Sequence, residues 1–235
     1  MTQSYRIRDG VGFSRFAGRT IILDITADRY WQLGEDAGQL LDEICSGLAH
    51  DADDPMLARL VKLGFVAPAG DGSTKRAAGD ITPASNHVPT PADSALERTV
   101  MTPGGNWMTA CEVAGFALIA RIALRAHPLK TILDRMAVQR ERAASLVSAP
   151  GIDALGIDAL ARQFAHYRRL LPLRPLCLPD SIAFLWFAMR RGHKPRLVFG
   201  VEAFPFTAHC WVQDGSIVLT DALDHASRFK PILVL

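Results

Sequence analysis

The stretch Leu173-Arg174-Pro175-Leu176-Cys177-Leu178-Pro179-Asp180-Ser181 decides how the C-terminal half of the chain is interpreted, because a loop ends there and an apolar segment begins. Pro179 suits a first helical turn, where its missing N–H costs nothing. We therefore predict a helix that starts near Cys177 and ends at Arg190-Arg191-Gly192. The partial positive charge and free N–H groups at a helix start favour thiolate over thiol, lowering a cysteine pKa from about 8.5 to roughly 3.5–7.5. The alternative is a buried structural cysteine.

A hairpin downstream supplies the partners that favour a reactive cysteine. The residues Asp214-Gly215 are a strong turn signal between two strand-like runs. His209 lies on the first of these strands and Asp221 on the second. A Cys–His–Asp relay needs these three residue types, because the thiolate attacks a carbonyl, the imidazole moves the proton and the carboxylate fixes the histidine tautomer. The predicted strands are Arg196–Val201, Ala208–Val212 and Ile217–Asp221.

The length of the hairpin loop decides whether the histidine and the acid share a face of the sheet. If Asp214 and Gly215 formed the whole turn, Asp221 would point away from His209, because side chains alternate between the two faces. A three-residue loop with a left-handed Gly215, or one bulge, restores a common face, and we predict that irregular loop. Asp224 is the alternative acid.

Cys210 follows His209 directly, so alternation turns it to the opposite face of the strand, where we expect a bystander. A metal site formed by Cys177, His209 and Cys210 is disfavoured. Their spacing matches no common zinc pattern, and adjacent strand residues do not easily share one ion. We predict no metal and no cofactor.

Composition narrows the class of protein. The 235 residues carry a formal net charge of +2, which gives no argument for a nucleic-acid or membrane partner. The four cysteines are widely spaced without a CxxC pair, which fits a reducing compartment better than a disulfide framework. Residues 1–9 are polar and charged, unlike a secretory signal, and the apolar run Val113–Ala120 is too short to span a bilayer. We predict a cytoplasmic protein.

The first 68 residues predict a small module of strands and helices. Three strand-like runs precede two amphipathic helices, an order that is typical of a winged helix. A DNA-binding winged helix is the alternative, but the last helix offers only Arg59 and Lys62 and follows three aspartates. The predicted elements are strands Phe13–Phe16, Thr20–Ile25 and Arg29–Leu33, helices Glu35–Cys45 and Asp54–Lys62, and a short strand at Phe65-Val66.

A segment rich in Gly, Pro, Ser, Thr and Asp separates this module from the rest of the chain. Its composition predicts a linker over residues 69–105, between domains at 1–68 and 106–235. Three helices follow, and the first, apolar on all sides, is expected to be buried. His166, on the third, is interpreted as a surface or packing residue. The helices are predicted at Ala110–Ala126, Leu129–Leu146 and Ile157–Leu171.

The N-terminal module resembles the winged-helix-like (PqqD-like) recognition element of enzymes that mature ribosomally made peptides. In that family the leader peptide adds as a strand to the third strand and faces the last helix, so that main-chain hydrogen bonds give affinity. The resemblance implies that a leader contacts Arg29, Tyr30 and Trp31 on the strand, and Leu57 and Leu60 on the helix. The segment between the two helices is short for the middle helix of that family.

The C-terminal half contains a set of motifs in a fixed order: Cys177-Leu178-x-x-Ser181, Gly192, Leu197-Val198-Phe199-Gly200-Val201, and Phe206-x-Ala208-His209-x-Trp211-Val212 followed by an acid. These motifs resemble the transglutaminase-like cysteine protease of lasso-peptide biosynthesis, the B protein family, in the form that fuses recognition and cleavage in one chain. One departure is Cys210, where family members often carry a small residue such as alanine, and it leaves the three candidate catalytic residues untouched. Together the resemblances imply an α+β protein with a C-terminal transglutaminase-like, papain-like cysteine protease domain.

The second resemblance implies a leader peptidase that acts on a lasso precursor peptide. Cys177 would be the nucleophile, His209 the general acid and base, and Asp221 the residue that orients the histidine. Arg174 and Trp211 are candidates for lining the cleft. Trp211 shares the face of His209 by alternation, and a core tryptophan is the alternative. The backbone N–H of Cys177 would help to bind the oxyanion. The freed core would pass to an ATP-dependent, asparagine-synthetase-like macrolactam synthetase.

Two other functions use the same residues or the same module. A thiol acyltransferase of the transglutaminase or arylamine N-acetyltransferase kind would transfer the acyl group to an amine instead of water. A leader-binding scaffold with a decayed triad would bind the peptide without cutting it, and the presence of all three residue types disfavours this alternative.

Overall fold

The computed structural model describes residues 2–69, 82–83, 88–99, 106–146 and 156–235. The N-terminal elements are β1 (Thr2–Ile7), β2 (Val11–Phe16), β3 (Arg19–Asp24), β4 (Arg29–Gly34), α1 (Glu35–Cys45), β5 (Ala49–Asp51), α2 (Pro55–Lys62) and β6 (Val66–Pro68). The later elements are β7 (Thr82–Pro83), β8 (Asp93–Ser94), α3 (Trp107–Ala126), α4 (Leu129–Leu146), α5 (Ile157–Leu170), α6 (Cys177–Met189), β9 (Arg196–Ala203), β10 (Phe206–Asp214), β11 (Ile217–Val218), α7 (Leu223–Ser227) and β12 (Lys230–Val234).

An antiparallel meander of β2, β3 and β4 confirms the three predicted N-terminal strands. The turns that connect them contain Gly18, with φ +73°, and Asp28, with φ +50°. Both predicted helices are present, and α2 starts one residue later than predicted. Its cap is Asp54, whose side chain accepts the N–H groups of Met56 and Leu57. The winged-helix-like, PqqD-like assignment of the module stays a prediction.

In a second small sheet, in the order β5-β1-β6, β6 confirms the predicted short strand at Phe65-Val66, whereas β1 and β5 were not predicted. β1 pairs with β5 from Thr2↔Asp51 to Ser4↔Ala49. Ile7 is the one buried side chain of β1, so the strand shows too little apolar alternation to be predicted. β5 lies between α1 and α2, the segment in which the resembling family carries its middle helix.

β3 joins the two halves of the molecule, because its two faces pack on different cores. Ile22 faces α1 and α2, whereas Ile21 and Leu23 face the core that contains α6 and β9. β2 lies so close to β12 that a Cβ at Gly12 would collide with the backbone oxygen of Ile232. The two predicted domains therefore share an interface, and the boundary between them stays a prediction.

The described parts of the predicted linker are built into the C-terminal sheet, contrary to the expectation of a free connection. β7 pairs with β12, and β8 pairs in parallel with β11. Ala95 is fully buried, and Ser94 Oγ donates to the backbone oxygen of Asp221 at 2.6 Å. A proline-rich edge strand needs no apolar periodicity, so composition alone pointed to a linker. Residues 70–81, 84–87 and 100–105 of the predicted linker lie outside the described residues.

A six-stranded sheet in the order β7-β12-β9-β10-β11-β8 supports the C-terminal half. α6 packs on β9 and β10, and α3, α4 and α5 pack around α6. The side chains of Phe184 and Phe187 on α6 are fully buried in this core. The three predicted helices and the strands β9 and β10 are confirmed, whereas β11 is shorter than predicted and β12 was not predicted.

α3 is less buried than its composition led us to expect. The side chains of Leu118, Ile119 and Ile122 are each about half exposed, because α5 and α6 cover one side of the helix. By length and composition, α3 is the one helix in the described part of the chain that could cross a membrane, a test that the core helix of a soluble protein also passes. Arg121, in its second half, is buried within the protein. That no membrane is involved stays a prediction.

Candidate active site

The helix α6 begins with Cys177, as the sequence predicts. Leu176 precedes it in an extended conformation, and the N–H of Asp180 donates to the Leu176 oxygen at 3.1 Å. The N–H groups of Cys177 and Leu178 therefore lie in the first turn without an intrahelical acceptor, while Pro179 has no N–H. The exposed thiol thus lies at the positive end of the helix dipole.

Two buried arginines hold the segment in front of this candidate nucleophile. Arg168 donates to the Asp180 carboxylate at 2.9 Å and to the backbone oxygen of Arg174 at 3.1 Å. Arg121 donates to the same backbone oxygen at 2.7 Å and lies 3.2 Å from the Asp180 carboxylate. Asp180 also accepts the N–H of Leu176, so one carboxylate ties both arginines to the helix start. Arg174, a predicted cleft residue, has an exposed side chain and contributes its backbone to this network.

His209 lies on β10 directly opposite Gly200 of β9. Its ring stacks on Trp211, with centroids 6.2 Å apart, and lies 5.0 Å from Phe229. Gly200 makes room for this packing, because a Cβ there would stand 2.6 Å from the Trp211 ring. Trp211 is fully buried and donates its Nε1–H to Gln213 at 2.9 Å. Of the two predicted alternatives, Trp211 therefore takes the place in the core rather than in the cleft, and its ring supports His209 from there.

The hairpin loop between β10 and β11 has two residues, so the prediction of a three-residue loop or a bulge is wrong, whereas the predicted left-handed Gly215 is confirmed, with φ +54°. The last pair, Asp214↔Ile217, leaves only Gly215 and Ser216 in the loop. If β11 continued in this register, Asp221 would lie on the face opposite to the histidine.

A bend after β11 brings the acid to the histidine instead. The N–H of Leu219 donates to the oxygen of Val212 at 2.8 Å, but the N–H of Val212 is accepted by the hydroxyl of Thr220 rather than by the backbone. The chain then leaves the sheet and Asp221 turns back, so that its Oδ2 lies 2.5 Å from His209 Nε2. Alternation could not predict this geometry, because it assumes that the strand continues.

The ionisable groups of the site stabilise one another's charges. Hydrogen bonds from Cys210 and from His209 lower the pKa of Cys177 from 9.0 to about 4, against the opposing effect of burial. Burial lowers the pKa of His209, but hydrogen bonds with Asp221 and Cys177 outweigh it and raise this pKa from 6.5 to about 9. Burial acts to raise the pKa of Asp221, and hydrogen bonds from His209 and His225 bring it below its usual value. The site therefore holds a thiolate, an imidazolium and a carboxylate at neutral pH.

Cys210 is not the bystander that alternation predicts. It does point to the other face of β10, where it is 3% exposed in the core around α6. Its side chain and its backbone N–H nevertheless interact with Cys177, and the side-chain contact is the largest cause of the low pKa of Cys177. The same contact, together with burial, raises the pKa of Cys210, so this thiol stays neutral and donates to the thiolate. The alternation of side chains along β10 gives the direction in which Cys210 points, but it does not show which helix packs on that face of the strand.

A second histidine, His225, was not identified from the sequence. It lies on α7, and its Nδ1 is 2.6 Å from Asp221 Oδ2. The four-residue spacing from Asp221 is the signal that could have found it, had the short helix been predicted. Asp224, the alternative acid, is exposed on α7. The ligand atoms of His209, Asp221 and His225 lie within 4.8 Å of one another, a spacing that a metal ion could bridge, but direct hydrogen bonds already join them. That the protein holds no metal stays a prediction.

The predicted leader-binding residues divide into exposed and buried groups. In the described part of the chain β4 pairs only with β3, so its outer edge carries no strand. Arg29 and Tyr30 are exposed at its start, and Trp31 is half-buried against the core of the N-terminal module. Leu57 and Leu60 are 1% and 0% exposed in that core. Contrary to the prediction, these two leucines line no open groove beside the strand edge, because α2 buries them against the sheet.

Tyr30 brings this open edge to the candidate nucleophile. Its ring packs edge-to-face on Phe206, the first residue of β10, with centroids 5.3 Å apart. Tyr30 is 38% exposed, and the burial of the rest of its side chain, together with the two cysteines Cys210 and Cys177, raises its pKa well above the usual value. The strand edge and the cysteine therefore lie in one region of the surface.

Cys177 at the start of α6, His209 on β10 and Asp221 in the bend after β11 are a cysteine, a histidine and a carboxylate of the kind that thiol-dependent acyl chemistry uses. Residues 118–234 match the family model described as the transglutaminase-like superfamily. Residues 118–234, from the second half of α3 to the end of β12, therefore form a transglutaminase-like superfamily domain, and all three predicted catalytic residues lie within it. That superfamily includes cysteine proteases, and the domain is consistent with cysteine peptidase or acyltransferase activity. No curated protein and no solved structure matches the chain.

Proposed function

We propose that the protein is a cysteine peptidase that binds the leader of a ribosomally made lasso precursor peptide and cuts it from the core before macrolactam formation. The observation that carries this proposal is the convergence of Cys177, His209 and Asp221 near the open strand edge at Tyr30. The first three residues suit acyl chemistry, and the edge suits the binding of an extended peptide.

In the proposed reaction the Cys177 thiolate attacks the scissile carbonyl carbon and forms a tetrahedral intermediate. Asp221 accepts the Nε2–H of His209, which leaves Nδ1–H as the proton donor on the side of the cysteine. As the C–N bond breaks, this proton passes to the leaving amine and the core departs with a free N-terminus. Water then attacks the thioester while His209 takes its proton, so the leader leaves as a carboxylic acid and the thiolate is restored.

The start of α6 supports the negative charge of the tetrahedral intermediate. The N–H of Cys177 has no intrahelical acceptor, and we assign it as one oxyanion donor. Removal of a single such donor typically costs about 10²–10³ in kcat. The network of Arg168, Arg121 and Asp180 keeps the backbone that carries this donor in place.

The polarity of β4 supports leader binding by strand addition. A leader that runs antiparallel to β4 has its C-terminal end beside Arg29 and Tyr30, the end of the strand nearest to Cys177. A parallel leader would have its N-terminal end there. Because a leader precedes its core, the antiparallel arrangement is the one that directs the scissile bond to the cysteine.

The proposal includes the partners that the resemblance implies. Cleavage frees the amine of the core peptide, which is the group that macrolactam formation consumes. An ATP-dependent, asparagine-synthetase-like synthetase would therefore act next, in the cytoplasm. The net charge of +2 favours neither a nucleic acid nor a membrane as a further partner.

The test uses peptides translated from short reading frames beside the gene, incubated with the full-length protein, with and without the neighbouring synthetase, and followed by mass spectrometry. We expect two fragments whose masses sum to that of the peptide plus one water. Cys177→Ala should abolish cleavage, whereas Cys45→Ala, at another exposed cysteine, should not. Cleavage that survives Cys177→Ala would refute the nucleophile, and intact peptides in every wild-type reaction would refute the peptidase.

A thiol acyltransferase is the second candidate, because the superfamily domain and the same three residues would serve it. Methylamine added to the same reaction separates the two functions. A leader fragment that carries the amine indicates transfer, whereas a leader fragment with a free carboxylic acid indicates hydrolysis. A non-catalytic scaffold would bind the peptide and leave its mass unchanged.

A further inference from the structure

Two histidines, rather than one, hold the carboxylate of Asp221. Its Oδ2 lies 2.5 Å from His209 Nε2 and 2.6 Å from His225 Nδ1, and its Oδ1 accepts the N–H of Ala222 at 2.8 Å. We propose that His225 is a positioning residue that holds the Asp221 carboxylate in the direction that His209 requires. This inference rests on the proposed peptidase mechanism, but its test does not require a peptide substrate.

Asp221 needs such support because the sheet does not orient it. β11 ends at Val218, three residues before Asp221, and the chain bends away from the ladder. Within a ladder, the pleat of the backbone sets the direction of each side chain. In the bent segment the direction of the carboxylate depends on its hydrogen bonds instead. The N–H of Ala222 restrains Oδ1, and His225 adds a donor beside His209 at Oδ2, which keeps the carboxylate from pivoting about the bond to Ala222.

His225 can serve as this donor because its helix and its ring are both anchored. The start of α7 is tied to the rest of the domain by the N–H of Leu223, which donates to Glu97 at 3.0 Å. The His225 ring packs edge-to-face on Phe229, with centroids 5.4 Å apart, and on His209 at 4.6 Å. These contacts keep Nδ1 directed at the carboxylate.

Loss of the hydrogen bond from His225 should raise the pKa of Cys177. A misdirected Asp221 stabilises the imidazolium of His209 less well, and a weaker imidazolium in turn stabilises the thiolate less well. In the described part of the chain, the other titratable groups that interact with this relay are Cys210 of β10 and Tyr30 of β4. Neither of them is a cation that could take the place of His209.

The experiment measures the rate at which iodoacetamide alkylates Cys177 in the full-length protein as a function of pH, with peptide mass spectrometry to separate it from the other cysteines. His225→Phe keeps a ring and removes the N–H, whereas His225→Asn keeps a donor near the Nδ1 position. We expect His225→Phe to raise the apparent pKa of Cys177 by about one unit. His225→Asn should restore at least half of that shift. If His225→Phe fails to fold, His225→Gln takes its place, because its amide lies one bond further from the backbone than that of asparagine and so does not match the Nδ1 position.

An alkylation profile that is unchanged in His225→Phe would overturn the proposal. Equal shifts in His225→Phe and His225→Asn would also overturn it, because a purely structural role does not depend on the N–H. Failure of the proposed peptidase mechanism would give a different result from failure of the role of His225. If Cys177 of the wild type titrates like an ordinary thiol, the proposed relay itself is refuted, independently of His225. Asp221→Asn in the same assay should give a shift at least as large as that of His225→Phe.

Discussion

The pH dependence of Cys177 reactivity follows directly from the electrostatics of the site. The pKa of Cys177 is lowered from 9.0 to about 4, and the pKa of His209 is raised from 6.5 to about 9. A thiol with a lowered pKa is charged above the new value, and a histidine with a raised pKa keeps its proton below the new value. The thiolate–imidazolium pair should therefore persist from about pH 4 to about pH 9. The proposed peptidase activity, which needs both charges, should fall at both ends of this range.

The size of the effect can be worked out from the two cysteine values. At pH 6.5 a thiol with a pKa of 9.0 is about 0.3% thiolate, whereas Cys177 is roughly 99% thiolate. Between about pH 5.5 and 7.5 the ordinary thiol gains thiolate roughly a hundredfold, while Cys177 changes by only a few per cent. A thiolate of low pKa is also a weaker nucleophile. A rate that does not change with pH, rather than a high rate, therefore distinguishes a cysteine with a low pKa from an ordinary thiol.

Alkylation by iodoacetamide between about pH 5 and pH 8 measures this profile. We expect a flat profile in the wild type and a profile that rises with pH in His209→Ala, because the hydrogen bond and the positive charge are lost while the contact with Cys210 remains. His166→Ala, at an exposed histidine of α5, is the matched control and should stay flat. A wild-type rate that rises about tenfold per pH unit in this range would refute the ion pair.

Three substitutions test the surroundings of the site. Cys210→Ala removes the largest cause of the low pKa of the candidate nucleophile, so the alkylation profile should move to higher pH, and an unmoved profile would exclude that contact. Asp180→Asn leaves two buried arginines without their carboxylate, so it should lower the free energy of unfolding, measured in urea, by about 3–5 kcal/mol. The control Asp134→Asn, in a more exposed ion pair, should lower it by less than about 1 kcal/mol. Gly200→Ala places a methyl group against the Trp211 ring and should lower the free energy of unfolding by about 1–3 kcal/mol. Gly115→Ala, where the space around the α3 residue is open, should raise it by about 0.5–1 kcal/mol. Equal stabilities of the two alanine variants would contradict the close packing.

The features that could be predicted from the sequence depend on local signals. The helix start at Cys177 follows from a loop that ends beside Pro179, and the helix end from a glycine that adopts φ +80° at Gly192. The strand that carries His209 follows from alternation and from the turn signal after it. Each of these signals involves residues within one or two turns of one another, so it does not depend on how the rest of the chain folds.

The features that could not be predicted depend on which distant segments meet. Cys210 acts on Cys177 because α6 packs on its face of β10, and alternation carries no information on that packing. Asp221 reaches His209 through a bend held by the hydroxyl of Thr220, where a sequence pattern predicts only a longer strand. Trp211 was a candidate for the cleft because it shares a face with His209, but that face is itself covered by α7 and β12.

The contact between the two halves bears on how the proposed peptidase would select its substrate. Tyr30 packs on Phe206, three residues before His209 on the same strand, so a leader held along β4 would end close to Cys177. Cleavage of a peptide tethered in this way depends on the effective concentration of its scissile bond at the thiolate more than on the affinity of the cleft for the bond itself. Selectivity would then reside in the strand edge, while the residues around the cysteine need only hold the reacting groups. A peptide without a strand-forming leader should therefore be cut slowly by a protein whose Cys177 is still alkylated at the normal rate, and comparison of the two rates separates recognition from chemistry.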